Sequence, residues 1–560
     1  MWFHKNDHPF RMEKTESGAK LLRYAGKEET VIIPDEFEGA PVTGIGEGAF
    51  YDNSKIREVE IPDTVTEIGM NAFRGAKKLA RVKLSKNLVQ MGEHAFTGCQ
   101  ELESVRFPKT LGAIPAGSFS KCASLQEISL PDSVKQVGEE AFSQCANLRA
   151  ADLGAGVETL GEDAFRGCAK ELCVIVPDGL KTVSEKTLAG CDRVYARVPG
   201  GLMLKYYTGH EQKIALDDEC AGLPVVAIGP RVFEMFAYLK EIKLPKSLEI
   251  IGDGCFAGCS GISQIEFPAT LREIGKAAFA VRGLERAQRG LEENTGLTSL
   301  TLPKFVEKIG DGAFYGHRNL KTLAFSAPVP QMGSGVFANC GMEKVSLPQG
   351  TVEVQSETFK GCENLIEVNL PETLESVWEF AFAECVNLKT VNLPKSLEVV
   401  GEFAFMANAS LSEIAIPEKT REIGAGAFAG CDSLSRITVH PGNGVFEVSD
   451  GLLINRAENR VTASVRRGSA KNVLIPYGTE AVDAYAFQGC NEIESVSIPS
   501  TVQKIGAYAF AGCENLKKIT CDGPVNEVEA DALYGLDGVQ IFADEETKEK
   551  FLNSSKAEEE

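Results

Sequence analysis

The sequence predicts a repeat solenoid, in which short coils stack along one axis instead of folding into separate compact domains. Three observations predict this class. A phenylalanine recurs every 23 residues from Phe50 to Phe165, the same apolar pattern surrounds each one, and a Gly precedes most of them in the same place. The composition, with 43% hydrophobic and 24% charged residues among 560, is that of an ordinary globular protein. The units must therefore bury their apolar residues against one another.

The repeating unit is clearest in LKTVNLPKSLEVVGEFAFMAN (388–408) and IESVSIPSTVQKIGAYAFAGC (493–513). It reads Leu, two variable residues, Val/Ile, one variable residue, Leu/Ile, Pro, several polar residues, Val/Ile, Gly, two variable residues, Ala, Phe, two variable residues and usually Cys. The Phe position is filled 19 times, in runs of seven, nine and three: residues 50, 73, 96, 119, 142, 165 and 188; 233, 256, 279, 314, 337, 359, 382, 405 and 428; 487, 510 and 533, with Leu at 188 and 533.

Each segment of the unit predicts one structural element. Alternating Leu, Val and Leu predict a short strand with one buried side. The Pro ends the strand because it has no N–H to donate to a continuing ladder. The Val/Ile-Gly step predicts a turn, since Gly tolerates positive φ, and Ala-Phe then returns to the interior. A Leu/Val pattern with a period of about 20–29 residues is typical of a leucine-rich-repeat solenoid.

Twelve of the 16 Cys occupy one slot, three residues after the ladder Phe. Asn53, Ala76, Phe236, His317 and Asn408 fill the same slot elsewhere, so it is not a fixed ligand position. We expect a ladder of small, buried thiols; disulfides or zinc are the alternative, although no CxxC occurs. So many unpaired thiols favour a reducing or anaerobic setting. The twelve are Cys99, Cys122, Cys145, Cys168, Cys191, Cys259, Cys340, Cys362, Cys385, Cys431, Cys490 and Cys513.

Segments that break the repeat divide the chain. Residues 18–50 align without a gap to 201–233, which predicts two related β-rich units, and 444–487 carries hairpin signals. The predicted organisation is a leader (1–17), a β-rich N-terminal cap (18–49), array 1 (50–199), a cap-like β unit (200–232), array 2 (233–440, with an insert at 281–296), a β-hairpin insert (441–480), array 3 (481–542), and a C-terminal capping helix with an acidic tail (543–560).

The unit resembles the BspA-type (Treponema pallidum type) leucine-rich repeat over about residues 18–545. The resemblance implies a right-handed superhelix with a parallel β-sheet on its concave face, and short helical or 3-10 turns elsewhere. It also implies protein binding, often in adhesion by surface proteins, and it carries no catalytic residues over. We expect a non-enzymatic protein-binding scaffold. The alternative is a bacterial cell-surface or secreted adhesin that mediates host or cell–cell interaction.

Charge and motifs exclude several other functions. The net charge of −21 disfavours nucleic acid and anionic lipid as partners, and no apolar run is long enough to insert into a membrane. No HExxH, P-loop or GxSxG motif occurs, so we expect no enzyme activity, cofactor or metal site. His4 and His8 are the one metal-like pair, and we interpret them as part of an unstructured tail rather than as metal ligands. The first 20 residues lack a secretory signal, which predicts a cytoplasmic protein, with the cell surface or exterior as the alternative.

Candidate binding residues are those that point outward from the predicted strands or lie on inserts. The outward positions alternate in sign from coil to coil in array 1 and are mostly small and polar in array 2, so a merely solvated sheet is the alternative. Trp378 replaces a turn Gly and either packs locally or anchors a partner. The insert is either a basic patch for an acidic partner or a solvated bulge. The candidates are Arg81, Lys83, Arg106, Lys344, Glu367, Asn369, Asn392, Trp378, Arg282, Arg286 and Arg289.

Overall fold

The fold is described from a computed structural model that defines residues 9–181, 186, 190–281, 296–327, 331–465 and 471–554. The chain forms two compact units. Unit 1 comprises Met1–His210 and Asp217–Val232, and unit 2 comprises Glu211–Leu216 and Phe233–Glu560. Each is a leucine-rich-repeat solenoid of short, mostly parallel strands.

The first 20 strands run to residue 228. They are β1 (Phe10–Thr15), β2 (Gly18–Tyr24), β3 (Thr30–Ile32), β4 (Glu36–Phe37), β5 (Ala40–Ile45), β6 (Glu58–Glu60), β7 (Glu67–Ile68), β8 (Arg81–Lys83), β9 (Gln90–Met91), β10 (Ala113–Ile114), β11 (Glu127–Ser129), β12 (Gln136–Val137), β13 (Ala150–Asp152), β14 (Thr159–Leu160), β15 (Cys173–Val176), β16 (Arg193–Val198), β17 (Gly201–Tyr207), β18 (Lys213–Ala215), β19 (Glu219–Cys220) and β20 (Leu223–Ile228).

The remaining elements belong to unit 2. They are β21 (Glu241–Lys243), β22 (Ile250–Ile251), β23 (Glu273–Ile274), β24 (Ser299–Leu302), β25 (Lys308–Ile309), β26 (Thr322–Phe325), β27 (Gln331–Met332), β28 (Lys344–Ser346), β29 (Glu353–Val354), β30 (Glu367–Asn369), β31 (Ser376–Val377), β32 (Thr390–Val391), β33 (Val399–Val400), β34 (Glu413–Ile416), β35 (Glu422–Ile423), β36 (Arg436–Val439), β37 (Phe446–Ser449), β38 (Leu452–Asn455), β39 (Arg460–Ser464), β40 (Asn472–Leu474), β41 (Ala481–Val482), β42 (Ser495–Ile498), β43 (Lys504–Ile505), β44 (Lys518–Cys521), β45 (Glu527–Val528), β46 (Gln540–Phe542) and α1 (Glu545–Asn553).

Most coils contribute one strand to each of two parallel ladders. The Leu-x-x-Val/Ile-x-Leu segment forms the long-strand ladder, as in β28-β30-β32-β34-β36, and the two residues before the turn Gly form the short-strand ladder, as in β29-β31-β33-β35. Neighbouring coils pair in register, so that Val345 lies beside Val368 and both are buried. Side chains at equivalent positions of successive repeats therefore point to the same side of a ladder.

The predicted Phe ladder is confirmed. Within unit 1 successive rings from Phe50 to Phe165 lie parallel with centroids 4.7–5.7 Å apart. Within unit 2 the stack continues from Phe233 to Phe428 and again between Phe487 and Phe510. These rings are at most 6% exposed, so each is buried by its neighbours. The Leu at position 188 lies outside the described residues.

The turns around each Phe contain single i→i+3 hydrogen bonds, the spacing of a 3-10 turn, and do not continue as helices. Their N–H groups alternate between two coils: Phe50 donates to the Ala72 carbonyl of the next coil, whereas Tyr51 donates to Gly48 in its own coil. Because every second bond leaves the coil, no run of intra-coil bonds can build a helix. The predicted C-terminal helix is present as α1, with Asp544 as its N-cap. The acidic tail at residues 555–560 lies outside the described part.

This alternation produces two left-handed backbone positions per coil, two residues before and two residues after the ladder Phe. In one coil they are Asn71 (φ 54°) and Gly75 (φ 74°). We name the position before the Phe the first left-handed slot. Gly, Asn and Asp, which tolerate positive φ best, fill it in many coils.

The thiol ladder is also confirmed, and the structure explains its chemistry. The Cys340 thiol donates to the backbone carbonyl of Phe314, 3.2 Å away in the preceding coil, and Cys385 donates in the same way to Phe359. That carbonyl points into the core, where an unpaired acceptor would be costly.

Most ladder thiols are buried, and burial raises the pKa of Cys122 and Cys362 to about 12. The half-buried Cys168 is the exception, because its hydrogen bond with Cys145 lowers its pKa. The buried thiols differ from it. They are therefore protonated and unreactive at neutral pH.

Antiparallel pairs interrupt the parallel pattern at five points among the described residues; two of them are the short hairpins β4–β5 and β19–β20. In unit 1, β1 pairs antiparallel with β2, and β16 pairs antiparallel with β17. The register shifts between Arg11 and Met12 in the first hairpin and between Val194 and Tyr195 in the second. These positions precede the two aligned segments by the same number of residues. In unit 2, β37, β38 and β39 form an antiparallel meander, and β39 then pairs parallel with β41.

One disulfide, between Cys173 and Cys220 in unit 1, was missed by the sequence interpretation. Cys173 begins β15 and Cys220 ends β19, and their Cα atoms lie 6.4 Å apart, within the range that a disulfide spans. Neither residue belongs to the thiol ladder. Their separation of 47 residues carries no local signal, and the two residues meet only in the folded unit.

Candidate binding surface

The long-strand ladder of unit 2 brings several predicted binding residues together. Lys344 lies beside Glu367, and Ser346 lies beside Asn369, because β28 and β30 pair in register. Their side chains point away from the buried Val345, since alternate residues of a strand face opposite sides of the sheet. The result is a row of short polar and charged side chains along adjacent strands.

The charges of this row are paired within the chain. Lys344 Nζ lies 2.7 Å from a Glu367 carboxylate oxygen. The hydrogen bond to Lys344 lowers the pKa of Glu367, and the same bond raises the pKa of Lys344. Two exposed charges of array 2 therefore pair with each other between neighbouring coils.

The amide side chains of the row differ in their contacts. Asn369 donates through Nδ2 to Ser346 Oγ, 3.0 Å away, and to Glu367, 3.3 Å away. Asn392 lies just after β32 and is exposed. This surface can offer hydrogen bonds to a partner without first breaking its ion pairs.

Trp378 lies on the other ladder and packs against its own chain. Its backbone N–H donates to the Val354 carbonyl, the bond that the turn Gly makes in other coils, as at Gly401. Its indole Nε1 donates to Glu353 Oε2, 3.3 Å away, and the side chain is half-buried. The structure therefore favours local packing for Trp378 and does not place it beside Lys344.

The predicted residues of unit 1 show the same internal pairing. Arg81 contacts Glu58 at 3.3 Å, and Lys83 contacts Glu60. The hydrogen bond to Glu60 raises the pKa of Lys83. Arg106 is exposed and forms no ion pair with a described residue, so it is the predicted cation here that remains available to a partner.

The structure does not describe the remaining predicted residues, and its described part contains no cluster suited to a metal ion. Arg282, Arg286, Arg289, His4 and His8 lie outside the described residues. Within the described part, no group of three His, Cys, Asp or Glu residues is placed to hold a metal ion. Among the same residues, no helix has the length and apolarity needed to cross a bilayer.

Comparison with protein families identifies the repeat. The profile of the family described as BspA type leucine rich repeat region matches the chain in six copies. Matched residues are 43–172, 226–289, 288–406, 330–449 and 466–553, which is well over half of the chain. No curated protein sequence matches the chain.

Solved structures of similar repeats come from several bacteria. A leucine-rich repeat protein of Bacteroides ovatus is 27% identical, with 78% of this chain and 94% of that one covered and a TM-score of 0.33. The Treponema pallidum leucine-rich repeat protein is 26% identical, with 46% and 89% covered and a TM-score of 0.27. A protein described as a leucine rich cell surface protein of Faecalibacterium prausnitzii is 24% identical, with 66% and 95% covered and a TM-score of 0.29.

Proposed function

The chain belongs to the BspA-type leucine-rich repeat family, and from this premise we propose that it is a non-catalytic scaffold that binds another protein. The contact surface is the long-strand ladder of unit 2, β28-β30-β32-β34-β36. The observation that carries the proposal is the registered row of polar side chains that includes Lys344, Glu367 and Asn369. A parallel ladder repeats the same outward position in each coil, so a partner can be contacted over several coils at once.

The internal ion pairs are compatible with a surface that recognises a partner by the arrangement of its hydrogen-bonding groups. Lys344 and Glu367 are already hydrogen-bonded, so a partner loses little solvation energy by covering them compared with covering unpaired ions. The amides of Asn369 and the exposed Asn392 add hydrogen-bond donors and acceptors on neighbouring coils of the ladder. Affinity then depends on shape and hydrogen bonding more than on net charge.

Site-specific photo-crosslinking in source cells tests this surface. A photoreactive residue in place of Asn392 reports on the long-strand ladder, and one in place of Glu422, exposed on β35, is the matched control on the short-strand ladder. We expect a protein adduct from position 392 and none from 422. Equal adducts from both positions, or none from position 392, would reject the ladder as the contact surface.

A second candidate function, an adhesin at the cell surface or outside the cell, is favoured by one observation in unit 1. The Cys173–Cys220 disulfide is stable in an oxidising compartment and rare in a bacterial cytosol. The buried ladder thiols do not by themselves require a reducing setting, because burial raises the pKa of thiols such as Cys122 and keeps them protonated. An exported location is thus better supported than the cytoplasmic one expected from the sequence.

Protease shaving of intact source cells distinguishes the two locations. Peptides of this chain in the released fraction, with cytosolic marker proteins absent, are expected for a surface adhesin. Their absence, with the chain abundant in the soluble lysate, would instead place the scaffold inside the cell.

A further inference from the structure

Unit 1 contains the same hairpin twice. In the first hairpin β1 pairs antiparallel with β2, and in the second β16 pairs with β17 in the same register, with Arg193 in the place of Phe10, 183 positions later. The agreement extends to the next strand, because β2 pairs with β5 as β17 pairs with β20. The two hairpins are therefore copies of one structural module, and the contacts of one copy indicate what the other can bind.

The two copies differ at their outer edge. β16 pairs in parallel with β15, so that Val174 lies beside Val194 and Ile175 lies beside Tyr195. In this arrangement Val194, Tyr195 and Ala196 are at most 2% exposed. In the first hairpin, by contrast, β1 is the end strand of its sheet and pairs with β2 alone among the described strands.

The corresponding residues of β1 are open to solvent. Arg11, Met12 and Glu13 occupy the positions that β15 covers in the second hairpin. Arg11 and Glu13 are exposed, as are Lys14 and Thr15, and Met12 is half-buried against the core of unit 1. An open strand edge presents backbone N–H and C=O groups to which another strand can bind.

The backbone of β1 directs every second residue to this outer edge. The Ala25 N–H donates to the Pro9 carbonyl, 2.8 Å away, so residue 9 faces β2. Because successive residues of a strand direct their backbone groups to opposite sides, Met12 directs its N–H and C=O away from β2. The register shift leaves this alternation intact, since the extra residue, Leu22, belongs to β2.

The strand β15 shows which groups a docked strand uses. The Cys173 N–H donates to the Arg149 carbonyl of the preceding coil, 2.9 Å away. By the same alternation, Val174 directs its N–H to β16 and Ile175 directs its N–H to the preceding coil. A strand docked on β1 in this register would therefore use the N–H of the residue beside Arg11 and leave the next N–H unused.

The side chains of β1 define the occupant further. Arg11 and Glu13 share one face of the strand, and Met12 lies on the other. Neighbouring strands of this unit already place opposite charges beside each other, as Arg81 contacts Glu58 at 3.3 Å in registered strands. A strand on β1 would follow the same rule with a carboxylate beside Arg11, an apolar residue beside Met12 and a basic residue beside Glu13.

We propose that the outer edge of β1 binds a parallel β-strand of a partner protein with the residue pattern apolar, acidic, apolar, basic. Addition of a strand to an open sheet edge gains affinity from the backbone and specificity from alternate side chains. A two-fold dimer of this chain does not fit, because it would pair β1 with β1 antiparallel, whereas β15 runs parallel to β16.

Fluorescence anisotropy with a labelled peptide tests the edge on the full chain at physiological ionic strength. The probe is Gly-Thr-Val-Glu-Val-Lys-Thr-Gly, whose Glu is designed to lie beside Arg11. N-methylation of the Glu nitrogen removes the N–H that faces β1, and we expect it to weaken binding about fivefold or more, the effect of one lost backbone hydrogen bond. N-methylation of the following Val is the matched control, because that N–H points away from β1, and it should retain most of the affinity.

Two variants of the chain locate the site. Met12→Ala keeps the outward N–H, whereas Met12→Pro removes it without breaking a bond between β1 and β2, a position in which an edge strand tolerates Pro. We expect Met12→Pro to bind the probe about fivefold more weakly than Met12→Ala. The two N-methylated peptides need only the wild-type chain, so the test is decisive even if Met12→Pro does not fold.

Three results would overturn the proposal. The first is a probe that does not bind the wild-type chain. The second is equal binding of the two N-methylated peptides, which would show that the contact is not strand pairing. The third is a dimer of this chain that Met12→Pro abolishes, with no binding of the probe, which would assign the edge to a second copy. None of these results involves position 392 or 422, so each leaves the crosslinking test of the ladder unaffected.

Discussion

The Phe403 ring contacts the Tyr485 ring edge to face, with centroids 4.9 Å apart, although the whole antiparallel meander β37–β39 separates them in sequence. Gly426 occupies the coil between them, and a Cβ at Gly426 would lie 2.4 Å from Phe403 Cε1. The Phe403 side chain therefore lies over Gly426 and reaches the next aromatic residue. The contact between Phe403 and Tyr485 depends on this missing side chain.

Gly426→Ala should disrupt the contact between Phe403 and Tyr485. The new Cβ overlaps the Phe403 ring, and Ala is also strained at φ 64°. Gly535→Ala is the matched control, since Gly535 has φ 72° and nothing within 4 Å of a Cβ. We expect Gly535→Ala to cost about 1 kcal/mol from strain alone, and Gly426→Ala to cost clearly more in urea unfolding. Equal costs would mean that the Phe403 ring moves away freely.

The repeat and its buried face could be predicted from the sequence, because the 23-residue spacing reports directly on stacking. The contact between Phe403 and Tyr485 could not be predicted in this way. Phe403 and Tyr485 each occupy a slot that varies among units, and their contact requires knowing that the coils of residues 428 and 487 are neighbours. The same limit applies to the ion pairs. The sequence shows that Glu58 and Arg81 carry opposite charges, but their contact across coils depends on the register between the two strands.

Phe142→Ala should destabilise unit 1 by about 3–5 kcal/mol as a large-to-small change in the core. Phe142 is fully buried and stacked between Phe119 and Phe165. Tyr51→Ala is the control, because Tyr51 directly follows a ladder Phe but is 54% exposed. Thermal unfolding measures both. A Phe142→Ala variant that melts like the wild type would disprove the role of the ladder.

Asn408→Cys should stabilise unit 2 by about 1–3 kcal/mol. Asn408 occupies the thiol slot and is fully buried, and neither Oδ1 nor Nδ2 has a hydrogen-bond partner among the described residues. A thiol there removes the unpaired amide and can donate to the carbonyl of the preceding ladder Phe. The reciprocal variant, Cys385→Asn, should lose stability by a similar amount. A less stable Asn408→Cys variant would show that the amide is satisfied in solution.

Acid should destabilise unit 2 through His317. Burial lowers the pKa of His317 from 6.5 to about 4, and its Nδ1 accepts the Leu297 N–H at 3.0 Å. Between these pH values the unfolded chain binds the proton and the folded chain does not. The free energy of unfolding therefore falls as pH drops through 6.5 toward 4, by on the order of 3 kcal/mol in total.

The variant His317→Cys isolates this effect, since Cys is the usual residue of the slot and does not titrate in this range. Urea unfolding at a series of pH values should show a shallower acid slope for His317→Cys than for the wild type. The exposed His440→Gln is the control and should keep the wild-type slope. Identical slopes in wild type and His317→Cys would mean that the buried imidazole is protonated without cost.

The Cys173–Cys220 disulfide gives a prediction about both stability and location. It closes a loop of 47 residues, for which loop-closure entropy corresponds to about 4 kcal/mol. Reductant, or the double change Cys173→Ser and Cys220→Ser, should therefore lower the melting temperature of unit 1. Cys521→Ser, at a half-buried free thiol of unit 2, is the control and should not.

Thiol counting on protein taken from source cells then tests where the chain resides. Alkylation after denaturation without reductant should modify every Cys except Cys173 and Cys220, because the other Cys residues are free. Alkylation of those two as well would show that the pair is reduced in the cell. That result would remove the support for an exported adhesin and favour a scaffold in a reducing compartment, while the stability predictions for the purified protein would still hold.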